Sequence, residues 1–171
     1  MVEEKASMHY RRGWPIALEI MHTDLFRLLT VFQASRTIAE ATPDEDHPFA
    51  KLRCNWEEAE ASRLIVNIAA TVRSALDCAI NTETLETLFS RPVGTIVPDT
   101  EDPQRTDSLT LRDCCNKVLH ADLIHFDLTQ AKEWHKQAIN PVMYLYGVYR
   151  RKEWKATIDI LKFVEMAYWA Y

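Results

Sequence analysis

The sequence predicts a mainly α protein: a helix bundle of four or five helices with a small antiparallel β element near residues 122–150. Three observations carry that expectation. Only three glycines occur, Gly13, Gly94 and Gly147, too few for the tight turns of an all-β fold. Two long segments carry apolar residues at three-four spacing, and prolines mark the joints between segments. With 171 residues, 47% apolar and 26% charged, the chain falls in the globular range and reads as one domain over 1–171.

The first helix is expected to open after Trp14-Pro15 and to run to about Ala41, where Thr42-Pro43 stops it. Leu18, Met21, Leu25, Leu28 and Phe32, continued by Ser35 and Ala39, form its core stripe. Asn55-Trp-Glu-Glu58 has the form of a capping box and predicts the start of a second long helix. Its apolar face is Ala61, Ile65, Ile68, Val72, Ala75 and Ala79, with Arg63, Asn67, Ser74 and Asp77 opposite. The two read as an antiparallel pair.

A short helix is expected over 82–89, a brief extended piece over Gly94–Val97, and a polar loop over 98–107. Thr110-Leu-Arg-Asp113 predicts another capped helix, reaching about Ala121. Leu123–Leu128 and Val142–Arg150 are rich in β-branched and aromatic residues and read as two paired strands. Helical spacing returns from about Trp154, with Ile158, Leu161, Val164 and Tyr168 on one face and Ile160, Phe163 and Ala167 on another. A helix apolar on two sides needs two partners, so a homodimer is expected.

Composition also narrows the functional classes. No apolar run is long enough to span a membrane, and residues 1–12 are too charged for a signal peptide, so a cytoplasmic location is expected. Cys54, Cys78, Cys114 and Cys115 lack CxxC spacing and read as reduced thiols. The net charge of −5 supplies no overall attraction for phosphate, so any nucleic-acid contact must be local.

Three groups of residues could carry chemistry. On a helix, Arg112, Asn116 and His120 are four apart and share a face. There a guanidinium could hold a phosphate, an imidazole could move a proton, and Asn116 could orient the ring. The same residues could equally be the solvated polar face of a capped helix. Second, His120, Asp122, His125 and Asp127 offer four metal-competent side chains in eight residues, although the reading favoured here is metal-independent, with no cofactor. Third, the run Tyr144, Tyr146, Tyr149, Arg150, Arg151, Lys152, Trp154, Lys155 could combine phosphate attraction with base stacking, or could be a strand with inward aromatics and a charged turn. No GxSxG, HExxH or glycine-rich phosphate loop is present, and Cys115 and His120 diverge too far around a helix to work as a pair.

The turn Asn116-Lys-Val-Leu-His120, following a polar-striped helix with Arg73-Ser-Ala-Leu-Asp77, resembles the HEPN superfamily over about residues 15–122. That resemblance implies a helical bundle, dimerisation and an association with RNA, including metal-independent cleavage in defence or toxin-antitoxin systems. The family's arginine would directly precede Asn116, where this chain has Cys115; Arg112 is the nearest upstream candidate. The expected function is thus an RNA- or nucleotide-binding or RNA-cleaving protein, with Arg112, Asn116 and His120 as catalytic residues and Arg150, Arg151, Lys152 and Trp154 as binding residues. A non-enzymatic dimeric scaffold that docks a protein partner is the alternative.

Overall fold

The computed structural model describes residues 18–78 and 90–170. In chain order the elements are α1 (Leu18–Ala41), α2 (Pro48–Cys78), β1 (Pro92–Val97), β2 (Asp107–Thr110), α3 (Leu111–Leu119), β3 (Leu123–Leu128), a 3-10 turn (Trp134–Lys136), β4 (Ile139–Tyr149), β5 (Lys152–Asp159) and α4 (Ile160–Trp169). The strands form a single five-stranded antiparallel sheet in the order β2-β1-β5-β4-β3. The fold is therefore mixed α and β. This overturns the expected mainly α bundle: the β element foreseen near 122–150 is one part of a sheet running from Pro92 to Asp159.

The main misreading falls on β5, where helical spacing had been expected from Trp154. Trp154, Ala156 and Ile158 are buried while Lys155, Thr157 and Asp159 are half-buried, a period of two. The strand lies between β1 and β4, so its backbone groups are paired on both sides and its inner face meets the helices. Helix begins only at Ile160, where the Asp159 carboxylate accepts the Lys162 N–H at 3.1 Å. Scarce glycine did not prevent a sheet because the β4–β5 connection is a two-residue turn made by Arg150 and Arg151, at φ of 51° and 68°.

Those two dihedrals belong to a type I′ turn, in which Asn-Gly is the favoured pair. Holding β-carbon-bearing residues there costs roughly 1–2 kcal/mol each. Replacing the pair (Arg150→Asn with Arg151→Gly) releases that strain less the roughly 1 kcal/mol of extra chain entropy that glycine loses on folding, a net of about 1–3 kcal/mol that should raise Tm by roughly 3–10 °C for a chain this long, read by calorimetry. An unchanged or lower Tm would mean the arginines make contacts that offset the strain.

One core fills the space between the helices and the inner face of the sheet. From α1 it takes Met21, Leu25, Leu28 and Phe32; from α2 Ile65, Ile68 and Val72; from the sheet Met143, Leu145, Ala156 and Ile158; from α4 Phe163. Phe32 meets Phe126 of β3 edge-on at 5.7 Å, and the Ser35 hydroxyl, on the same stripe, accepts the Ile139 N–H at 3.1 Å. The α1 stripe read from spacing is thus the buried one. α2 begins earlier than expected, at Pro48, so Asn55–Glu58 lies inside the helix. α3 is capped as foreseen, with Thr110 accepting the Asp113 N–H at 3.3 Å. The helix expected over 82–89 lies outside the described residues.

The β3–β4 connection is tied down from the α1–α2 side. Buried Arg53 donates to the His135 carbonyl at 3.1 Å, Lys136 to the Thr42 carbonyl, and the Trp134 indole to Glu45 at 3.1 Å. Burial pushes the Glu57 carboxyl up, while Ser35 and neighbouring Arg53 pull the other way. No helix among the described residues is long and apolar enough to cross a membrane.

Candidate nucleic-acid interface

Because every helix-facing side chain alternates with one on the other side of the sheet, the outer face has its own composition. Register pairs Tyr144 with His125 on β3 and with Thr157 on β5, and Tyr146 with Leu123 and Lys155. Two tyrosines, a histidine and a lysine therefore share one surface, with His125 exposed and Tyr144, Tyr146 and Lys155 half-buried. The Lys155 ammonium stands 4.8 Å from the Tyr144 ring centre and 5.7 Å from that of Tyr146, and His125 meets Tyr146 edge-on at 6.4 Å.

Asp127 fixes one ring. It accepts from the Asn140 amide at 2.7 Å and from the Tyr144 hydroxyl at 3.3 Å. Burial, and then the Asp127 charge, push the Tyr144 phenol up from its ordinary value, so the ring stays neutral. At the end of the same hairpin Arg150 and Arg151 are exposed, the Arg150 guanidinium lying 5.2 Å from the Tyr149 ring centre. Aromatic rings flanked by cations are the components from which stacking platforms for unpaired bases are built.

Two of the four binding residues read from the sequence have other work. Trp154 is on the inner face, buried against Gly147, with Lys117 4.1 Å from its ring centre, so it is not placed to stack on a base. Gly147 leaves the space that this indole fills, since a β-carbon there would lie 2.7 Å from Trp154 Cε2. Lys152 donates to Asp99 at 2.6 Å, which holds the Asp99 carboxyl below its ordinary range and ties the loop after β1 to the sheet. Arg150 and Arg151 remain outward, and Tyr144, Tyr146 and Lys155 join them.

The expected catalytic trio is spread along α3. Arg112 turns back onto α2, donating to the Leu76 carbonyl at 3.1 Å and to Asp77 at 3.0 Å, and Arg73 binds the same carboxylate oxygen. His120 is exposed at the other end, where its backbone N–H caps the helix on Asn116 and Lys117. Eight residues of helix separate the two positions by about 12 Å, and Arg112 points away from the histidine. Asn116 sits half-buried between them. The metal alternative is not assembled: Asp127 is engaged by Asn140 and Tyr144, and among the described residues no three His, Cys, Asp or Glu side chains gather to hold an ion. Cys114 and Cys115 are buried and burial pushes both thiols up, Cys115 to about 12, which leaves no thiolate nucleophile beside His120.

Sequence reasoning saw the aromatic-basic run but assigned Trp154 to the wrong side; the alternation of β5 was the signal that could have placed it. Thr157 and the role of His125 beside Tyr146 needed the register. Among the described residues these features define an α+β protein with a helical layer on one side of an antiparallel sheet and an aromatic face on the other. The chain matches no protein-family model, no curated protein sequence and no solved structure.

Proposed function

We propose that the protein binds single-stranded RNA on the outer face of its sheet, as a homodimer, without cleaving it. The observation that supports this reading is the pairing of Tyr144 and Tyr146 around Lys155, with Arg150 and Arg151 at the end of the same hairpin. Bases stack on the tyrosine rings; Lys155 swings from the rings to a phosphate, and the turn arginines take phosphates further along the strand. Binding without cleavage fits the separation of Arg112 from His120, and it needs no favourable overall charge because the cations are local.

Titration of a labelled, mixed-sequence RNA oligomer by fluorescence anisotropy tests the proposal. Three cations on the face give an expected slope of log K against log salt of about −2, from roughly −0.7 per phosphate on a single strand. Intact RNA recovered from the complex is the second expected result. A missing complex would favour the non-enzymatic scaffold docking a protein partner. RNA cut by wild type and spared by His120→Ala would return the activity to α3.

A further inference from the structure

The helical layer has an open groove of about 520 Å³ between α1 and α4. Its walls are apolar: Leu25 and Leu29 from α1, Leu161 and Val164 from α4. Phe26 and Trp169 stand on its rims, 71% and 59% exposed. His22 stacks on Tyr168 across it at 4.8 Å, bridging the two helices. α4 thus buries Ile160, Phe163 and Ala167 in the core and leaves a second apolar side, Leu161, Tyr168 and Trp169, uncovered.

We infer that this groove is the two-fold interface with a second copy of the chain, which gives the homodimer of the reading above its surface. Three features select a second copy as the occupant. First, shape: a concave strip bordered by protruding aromatics is self-complementary about a two-fold axis, since the Phe26 and Trp169 of each protomer can seat in the groove of the other. Second, area: Phe26, Leu29, Leu161, Tyr168 and Trp169, all in its lining, are each between 37% and 71% exposed. At roughly 150–250 Å² for a whole aromatic side chain they present on the order of 500 Å², most of the roughly 800 Å² a partner contributes to a stable interface once the rim is added. Third, charge: α4 brings both signs to the edge of the groove, Glu165 in its lining and Lys162 beside it, so two copies can meet without like-charge opposition, whereas a strongly charged partner would find no matching field. Aromatic anchors at the centre with a mixed polar rim are the composition of interfaces.

Pairing through α1 and α4 uses none of the outer-face residues Tyr144, Tyr146 and Lys155. Light scattering of the full chain across a micromolar dilution series, with Phe26→Glu/Trp169→Glu and Trp56→Glu in parallel, tests the inference. Wild type and Trp56→Glu, whose tryptophan is exposed on α2, are expected at twice the 19.9 kDa chain mass and the double variant at the chain mass with its circular dichroism unchanged. A wild type that is monomeric throughout, or a dimer that survives the double variant or breaks in Trp56→Glu, overturns it. A monomeric wild type whose Tm falls in the double variant also overturns it and assigns the groove to another segment of the same chain. RNA titration of the double variant separates this inference from the RNA reading: a monomer that binds RNA supports both, and a dimer interface proven in a protein that binds none leaves the interface standing alone.

Discussion

Tyr144→Ala combined with Tyr146→Ala is expected to weaken RNA binding by roughly 30-fold or more, since each base stacked on an aromatic ring contributes about 1–3 kcal/mol. Tyr144→Phe and Tyr146→Phe keep both rings and should stay within about twofold of wild type, because stacking uses the π face and not the hydroxyl. The contrast matters because Tyr144 also holds Asp127, and a loss seen equally in the phenylalanine variants would point to disturbed structure. Asp127 retains Asn140 in every variant, so the β3–β4 pairing should survive. Arg112→Ala and His120→Ala should leave affinity unchanged. A strong loss in either, with the tyrosine variants normal, would move the interface from the sheet to α3. The measurement is anisotropy at fixed salt, with thermal unfolding of each variant alongside.

Gly94→Ala is expected to destabilise the fold by about 2–4 kcal/mol, near the upper range for overpacking because the obstacle cannot turn aside. Gly94 lies opposite Ile158 of β5 and Leu109 of β2, at the crossing of three strands. A β-carbon there would run into the Thr157 carbonyl oxygen and come within 3.0 Å of Ile158 Cα. Both are backbone atoms of the central strand, so relief requires β1 to move and its ladder with β5 to weaken. Gly147→Ala also crowds its neighbour, but that neighbour is the Trp154 ring, which can shift; its cost should be lower, about 1–3 kcal/mol. For a chain of this length Gly94→Ala corresponds to a fall in Tm of roughly 5–15 °C. Calorimetry of the two variants checks the order: a smaller loss at Gly94 than at Gly147 would mean β1 is not held against β5 in this register.

Much of the local structure was legible because local rules set it. The α1 stripe from Met21 to Ala39, the end of that helix at Ala41, the Thr110 cap and the strand Leu123–Leu128 all follow from spacing and capping over a few residues. The terminal helix was also foreseen to be apolar on two sides, and its core side and its groove side are both there. The outer face of α1 was missed, although Phe26 and Leu29, large apolar residues just off the buried stripe, were a visible signal.

What failed were judgements that depend on partners distant in sequence. Lys152–Asp159 carries residues compatible with helix or strand, and its state is decided by β1 and β4, which pair with it from some 60 residues upstream and from across the arginine turn. The same pairing turns Trp154 inward and Lys155 outward, so only part of the aromatic-basic run reaches the outer face. The trio Arg112, Asn116 and His120 has the spacing of one helical face, yet Asp77, 35 residues earlier, draws the arginine away. By itself the sequence determined the amphipathic helices, their caps and the presence of an aromatic-basic hairpin, because those rest on periodicity and near-neighbour hydrogen bonds. Only the tertiary structure decided that the hairpin is the centre of a five-stranded sheet, which side of it faces outward and which cations stay free, because strand pairing and ion-pair choice are settled by contacts that sequence spacing does not encode.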